Sequence, residues 1–82
     1  MKTFDYAGKT WKYDEWTVFF MEVGRHHNMY KIDQAFPHDK LQNAIEAYEE
    51  MNISDGYKKR LGMMTRGDKR IITHECSRRN DT

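Results

Sequence analysis

The stretch WTVFFMEV, residues 16–23, decides the fold because apolar side chains occupy both of its faces. In an extended chain, alternate side chains point to opposite faces. One face then carries Trp16, Val18 and Phe20, and the other carries Phe19, Met21 and Val23. Because two apolar faces are typical of a strand that is covered on both sides, this stretch predicts a central strand.

Two further strand patterns flank residues 16–23. Residues 3–13 alternate around Gly8, which predicts a β-hairpin. The aromatic residues on one side of this hairpin are Phe4, Tyr6, Trp11 and Tyr13. Residues 29–36 alternate again, which predicts a strand with one solvated face. The apolar side of that strand carries Tyr30, Ile32 and Phe36.

An amphipathic helix is predicted after Pro37, which ends the preceding strand and suits the first turn of a helix. Apolar residues then recur at helical spacing, at Leu41, Ala44, Ile45, Tyr48 and Met51. Residues 57–64 and 69–76 are a last pair of predicted strands. Gly67 lies between them and can adopt the positive φ of a hairpin turn.

The predicted order of elements is therefore ββββ-α-ββ. We expect an α+β fold in which an antiparallel sheet of about five or six strands carries one amphipathic helix on one face. A chain of 82 residues has room for a single core, and we expect one domain over residues 1–76. Residues 77–82 are small, charged and unperiodic, which predicts a flexible charged C-terminal tail.

The composition limits the classes of function. Hydrophobic residues make up 38% of the chain, charged residues 33% and aromatic residues 13%, which predicts a folded core rich in aromatic rings. The single Cys76 excludes an internal disulfide, and no apolar run reaches the length of a signal peptide or membrane helix. We therefore expect a cytoplasmic protein without a membrane partner, located in the host cytoplasm if a phage encodes it.

Few residues are candidates for catalysis or metal binding. The soft-ligand candidates are His26, His27, His38, His74 and Cys76, and their spacings include no CxxC or HxxxH pair. Cys76 and His74 form the one nucleophile and base pair to consider, but a single strand supplies no obvious oxyanion donor beside them. We therefore expect no enzyme activity, no metal and no cofactor.

Charge is distributed unevenly along the chain. Residues 1–55 carry a net charge of −4 and residues 56–82 one of +5, although the whole chain carries only +1. This asymmetry predicts a bipolar molecule. The candidate nucleic-acid-binding residues on the last hairpin are Lys58, Lys59, Arg60, Arg66, Lys69 and Arg70. Against nucleic-acid binding, the isoelectric point of about 7.9 is below the ~9 of dedicated nucleic-acid domains.

Aromatic residues that the helix leaves uncovered would be free for a binding surface, unless the N-terminal hairpin folds over and completes the core. The predicted partner-binding set joins these aromatics to the acidic face of the helix, and it comprises Trp11, Trp16, Tyr6, Tyr13, Asp39, Glu46, Glu49 and Glu50. An acidic face suits a cationic groove on a partner because opposite charges speed the encounter.

In size and build, the chain resembles the small proteins with which phages and mobile elements block host machinery, such as anti-CRISPR proteins. Together with the predicted binding surface, this architectural resemblance implies a non-enzymatic inhibitor. Its expected partner is a larger host protein or ribonucleoprotein complex, blocked stoichiometrically. The alternatives are nucleic-acid binding through the C-terminal hairpin and self-association of the aromatic face into a two-fold dimer.

Overall fold

The structure, a computed structural model, describes residues 1–77, which form six strands in two antiparallel sheets and one α-helix. The strands are β1 (Lys2–Tyr6), β2 (Lys9–Tyr13), β3 (Thr17–Arg25), β4 (Lys31–Pro37), β5 (Tyr57–Thr65) and β6 (Asp68–Cys76). A short 3-10 helix (His38–Lys40) leads into α1 (Leu41–Glu50). The predicted α+β class and the order ββββ-α-ββ are confirmed. The predicted tail lies outside the described residues except for Ser77.

The larger sheet has the strand order β4-β3-β5-β6. The strand β3 therefore lies in its interior, as the two apolar faces of residues 16–23 predict. Pro37 ends β4 in an extended conformation, and the α-helix begins only at Leu41, after the 3-10 turn. Ser77 continues the pairing beyond β6, because its backbone N–H donates to the Tyr57 carbonyl at 2.8 Å.

The N-terminal hairpin does not join the larger sheet. This arrangement differs from the single sheet that the sequence predicts. Instead, β1 and β2 form a separate two-stranded sheet. The rings of Phe4 and Tyr13 meet the ring of Phe19 edge-on, with centroid distances of 5.8 and 5.5 Å. Laid on the larger sheet, the hairpin buries its aromatic side, whereas an added edge strand would leave that side open to solvent.

The core lies between the larger sheet and a layer made of α1 and the hairpin. Its buried hydrophobic residues are Phe19, Met21, Ala44, Tyr48, Leu61, Met63 and Ile72. Phe19 and Met21 of β3 pair with Met63 and Leu61 of β5, so all four side chains share one face of the sheet. Both covering elements therefore lie on this face.

A β-bulge changes the facing of residues along β4. Met21 pairs with Gln34 but Glu22 pairs with Ile32, so Asp33 is an extra residue in the strand. Ile32 and Phe36 consequently lie on opposite faces of the sheet. The prediction that they share a face is wrong, because strict alternation assumes that no residue is inserted.

The glycine at position 62 allows close packing of an aromatic ring on the sheet. Gly62 pairs with Phe20, and a Cβ at position 62 would lie only 2.6 Å from Cζ of the Phe20 ring. The same Cβ would lie 3.0 Å from the carbonyl oxygen of Arg70. The Phe20 ring therefore lies over the backbone of β5, and only 3% of its surface is exposed.

We expect Gly62→Ala to lower the free energy of unfolding by about 1–3 kcal/mol, because the added methyl group overpacks against the Phe20 ring. Urea denaturation of the two proteins measures this difference. The control is the same substitution in a Phe20→Leu background, where the cost should fall. An equal cost in both backgrounds would show that the ring contact is not its cause.

Candidate interaction surface

One face of the larger sheet is turned away from α1 and the hairpin, and we call it the open face. It carries Val18, Phe20 and Glu22 of β3 together with the residues that pair with them on β4 and β5. Among residues 1–77, no helix or strand is packed on this face as α1 and the hairpin are on the other. Val18 is exposed there and available to a partner, whereas Phe20 and Glu22 are buried.

The part of the open face around Tyr30 is basic. The guanidinium carbon of Arg60 lies 3.8 Å from the centroid of the Tyr30 ring, and the ammonium group of Lys58 lies 4.4 Å from it. The ring of His74 meets Tyr30 edge-on at 5.8 Å. Burial raises the pKa of the Tyr30 phenol, so the ring stays neutral. Two cations are thus held against one neutral aromatic platform.

A buried carboxylate, Glu22, organises the centre of the open face. Only 4% of Glu22 is exposed, and a carboxylate so buried must be paired with cations. Arg60 Nε donates to Glu22 Oε1 at 2.5 Å, and Lys69 Nζ donates to Oε2 at 3.3 Å. Glu22 therefore fixes the position of both cations. The expectations drawn from the sequence do not include this role. The feature that could have indicated it is a single acidic residue in an otherwise apolar strand, two residues beyond Phe20.

The opposite end of the open face is apolar. Val18 and Met64 are register partners on β3 and β5, and both are exposed. Trp16, two residues before Val18, is 61% exposed. The guanidinium carbon of Arg66 lies 5.9 Å from its ring centroid. This combination of Met, Trp and Arg is the composition of protein interfaces.

The six basic residues predicted for nucleic-acid binding do not form one surface. Lys58, Arg60 and Lys69 share the open face. Arg66 lies in the β5–β6 turn, 3.8 Å from Asp14, and Arg70 donates to its neighbour Asp68 at 3.0 Å. The sixth residue, Lys59, points to the opposite face of the sheet.

Lys59 is buried against the C-terminal end of α1. Its ammonium group donates to the carbonyl oxygens of Tyr48 at 2.6 Å and Met51 at 2.8 Å. These are carbonyls that the end of a helix leaves without intrahelical partners. Glu75 lies 3.6 Å from the same ammonium group. Lys59 therefore joins helix to sheet, and its contacts are internal to the protein.

Three of the four aromatic residues predicted to bind a partner pack inside the protein. Tyr6, Trp11 and Tyr13 are half-buried against the core cluster, whereas Trp16 is exposed. The Tyr6 hydroxyl donates to Glu49 Oε2 at 2.6 Å, and burial together with this bond raises the pKa of Tyr6. The hairpin thus completes the core, which is one of the two outcomes that the sequence left open.

The acidic residues of the predicted partner-binding set lie on the outer side of the helical segment. Asp39, Glu46, Glu49 and Glu50 are all exposed. Glu49 is engaged by Tyr6. Since the helix covers the face opposite to the open face, these carboxylates and the cations around Tyr30 lie on opposite sides of the molecule.

The pair formed by His74 and Cys76 lies on the surface rather than in a cleft. The Cys76 sulfur lies 3.6 Å from His74 Nε2, and both residues are exposed. Among residues 1–77, no three His, Cys, Asp or Glu side chains are grouped closely enough to hold a metal ion. Nor does this part of the chain contain a helix long and apolar enough to cross a membrane.

Comparison with protein-family models, curated proteins and solved structures gives no match for this chain.

Proposed function

We propose that the protein is a non-enzymatic binding module that acts in the cytoplasm by occupying a surface on a larger partner stoichiometrically. One observation carries the proposal: the open face combines exposed apolar side chains with cations that are already fixed in place. Val18 and Met64 supply apolar contact area, and Arg60 is held by both Glu22 and Tyr30. A surface that is ordered before binding loses less side-chain entropy on association.

The apolar end of the open face suits a protein partner. Large apolar side chains near the centre of an interface supply most of the binding free energy, and surrounding polar groups exclude water. Val18 and Met64 are exposed apolar side chains of this kind, and Trp16 with Arg66 lies just beyond them along the chain. The resemblance in size and build to anti-CRISPR proteins supports the narrower proposal that the partner is a host complex that handles nucleic acid.

We expect Met64→Asp to reduce the amount of partner that the immobilised protein retains from host-cell extract by at least about tenfold, because it places a charge in the apolar contact. Met64 is 40% exposed, so the fold should tolerate the change. Quantitative mass spectrometry of the retained proteins measures the effect.

The matched variant for this experiment is Glu46→Lys, on the exposed side of α1. If the open face is the contact surface, Glu46→Lys should retain the partner. If Glu46→Lys loses the partner and Met64→Asp keeps it, the acidic helix face is the contact surface. If none of the proteins retains a large partner at moderate salt, the proposed function is wrong.

A second candidate function is direct nucleic-acid binding, which is favoured by the presence of Lys58, Arg60 and Lys69 on one face. Phosphate contacts release counterions, so this function requires an affinity that falls steeply with salt concentration. Electrophoretic mobility shift with short DNA and RNA at two salt concentrations tests it. Absence of binding at low salt would exclude this candidate.

A further inference from the structure

We infer that the open face is a docking surface for an acidic protein segment, whose carboxylates bind at Arg60 and Lys58 and whose apolar side chains cover Val18 and Met64. This inference rests on the proposed function and specifies the chemistry of the partner. It is based on the excess of positive charge on the open face and on the cations of the same chain that lie over its rings of Tyr30 and Phe20.

The open face carries an excess of positive charge. Its cations are Lys58, Arg60 and Lys69, and its buried carboxylate is Glu22. Both carboxylate oxygens of Glu22 are already engaged, because Arg60 donates to one and Lys69 to the other. Lys58 forms no ion pair within residues 1–77. A partner that brings carboxylates would therefore meet unneutralised positive charge.

Arg60 is oriented to receive a carboxylate. Its Nε is used by Glu22, and no side chain in residues 1–77 accepts a hydrogen bond from its two terminal nitrogens. Its side chain is 21% exposed. A guanidinium group binds a carboxylate through paired, parallel N–H donors, and Tyr30 and Glu22 hold this one in a fixed plane. Little side-chain entropy remains to be lost when a partner binds.

The same charge balance disfavours a second copy of this chain on the open face. Two open faces placed together would bring Lys58 and Arg60 of each copy against either the same cations or the apolar end with Val18 and Met64, and neither supplies a free carboxylate. Like charges facing each other across an interface cost several kcal/mol. An acidic partner removes that cost.

The aromatic rings of the open face disfavour single-stranded nucleic acid, which binds to such surfaces by stacking bases on exposed rings. The ring of Tyr30 is covered by Arg60 and Lys58. The Phe20 ring is buried over Gly62, with the Lys69 ammonium group 5.3 Å from its centroid. Beside the three cations, a nucleic acid would therefore find phosphate contacts but no free face on Tyr30 or Phe20, and the exposed ring of Trp16 lies at the opposite, apolar end.

The spacing of the two contact regions defines the partner further. Arg60 is paired with Glu22 on β3. Glu22 and Val18 are four residues apart, which corresponds to roughly 13 Å along a strand. An extended segment would span this distance with an acidic and an apolar side chain four residues apart. The matching probe is a short synthetic peptide in which glutamates and leucines are placed at that spacing.

The experiment titrates the isotope-labelled protein with this Glu/Leu peptide and, separately, with single-stranded oligothymidylate, at low and moderate salt. We expect amide chemical-shift changes along β3 and β5 for the peptide. Lys58→Glu should weaken peptide binding roughly tenfold, because it replaces an attraction by a repulsion. The matched control is Lys40→Glu, which makes the same change in charge beside α1 and should leave the affinity unchanged.

The other outcomes separate the inference from the proposed function. If Lys58→Glu and Lys40→Glu weaken peptide binding equally, the inference is overturned, because the affinity would then depend only on the net charge of the protein. Tighter binding of oligothymidylate than of peptide, lost in Lys58→Glu, would overturn it in favour of nucleic-acid binding. If neither probe binds but the wild-type protein still retains a large partner that Met64→Asp loses, the inference fails and the proposed function stands.

Discussion

Phe19→Ala is expected to lower the free energy of unfolding by about 3–5 kcal/mol, which is comparable to the whole stability of a domain of this size. Phe19 is completely buried, and its ring contacts the rings of Phe4 and Tyr13. Truncation therefore leaves a cavity and also removes the platform on which the hairpin packs. Urea denaturation followed by circular dichroism measures the change.

The control for this prediction is Val18→Ala, at the adjacent position of β3. Val18 faces the other side of the sheet and is 44% exposed, so its truncation should cost less than about 1 kcal/mol. A similar cost for both variants would show that the hairpin does not depend on Phe19. A folded Phe19→Ala protein with unchanged stability would contradict the core described above.

Lys59→Ala is expected to cost about 3 kcal/mol, although a lysine in a basic run is ordinarily a solvated residue. The substitution leaves the carbonyls of Tyr48 and Met51 without their charged donor at a buried helix end. It also removes the aliphatic stem of a residue that is only 4% exposed. The free energy of unfolding in urea again provides the measurement.

Two further variants isolate the cause of this effect. Lys58→Ala changes the adjacent residue, whose ammonium group lies over the Tyr30 ring on the open face, and should cost less than about 1 kcal/mol. Lys59→Met keeps an apolar stem and removes the charge, so its cost measures the loss of the two hydrogen bonds. If Lys59→Ala and Lys58→Ala are equally destabilising, the capping role of Lys59 is wrong.

The main elements of the fold follow from short-range patterns. The two apolar faces of residues 16–23 predict an interior strand, and the helical spacing from Leu41 to Met51 predicts α1. The separate hairpin could not be predicted, because alternation identifies an apolar side without showing which layer covers it. The bulge at Asp33 could not be predicted either, since Ile32 and Phe36 are both apolar and four residues apart, which matches unbroken alternation.

The geometry of the candidate site follows only in part from the sequence. The sequence pattern groups Lys58, Lys59 and Arg60 as one basic set, but side chains of a strand alternate, so the middle residue must face away from the other two. That argument was available from the sequence. The pairing of Glu22 with Arg60 was not, because it depends on the register between β3 and β5.

Within residues 1–77, the two sheets share no hydrogen-bond ladder, so each can form its strand pairs without the other. The four-stranded sheet and α1 can assemble before the hairpin packs on them, since no strand of that sheet forms hydrogen bonds with β1 or β2. We therefore expect the hairpin to pack over Phe19 in a late folding step, stabilised by the ring contacts and by the hydrogen bond from Tyr6 to Glu49.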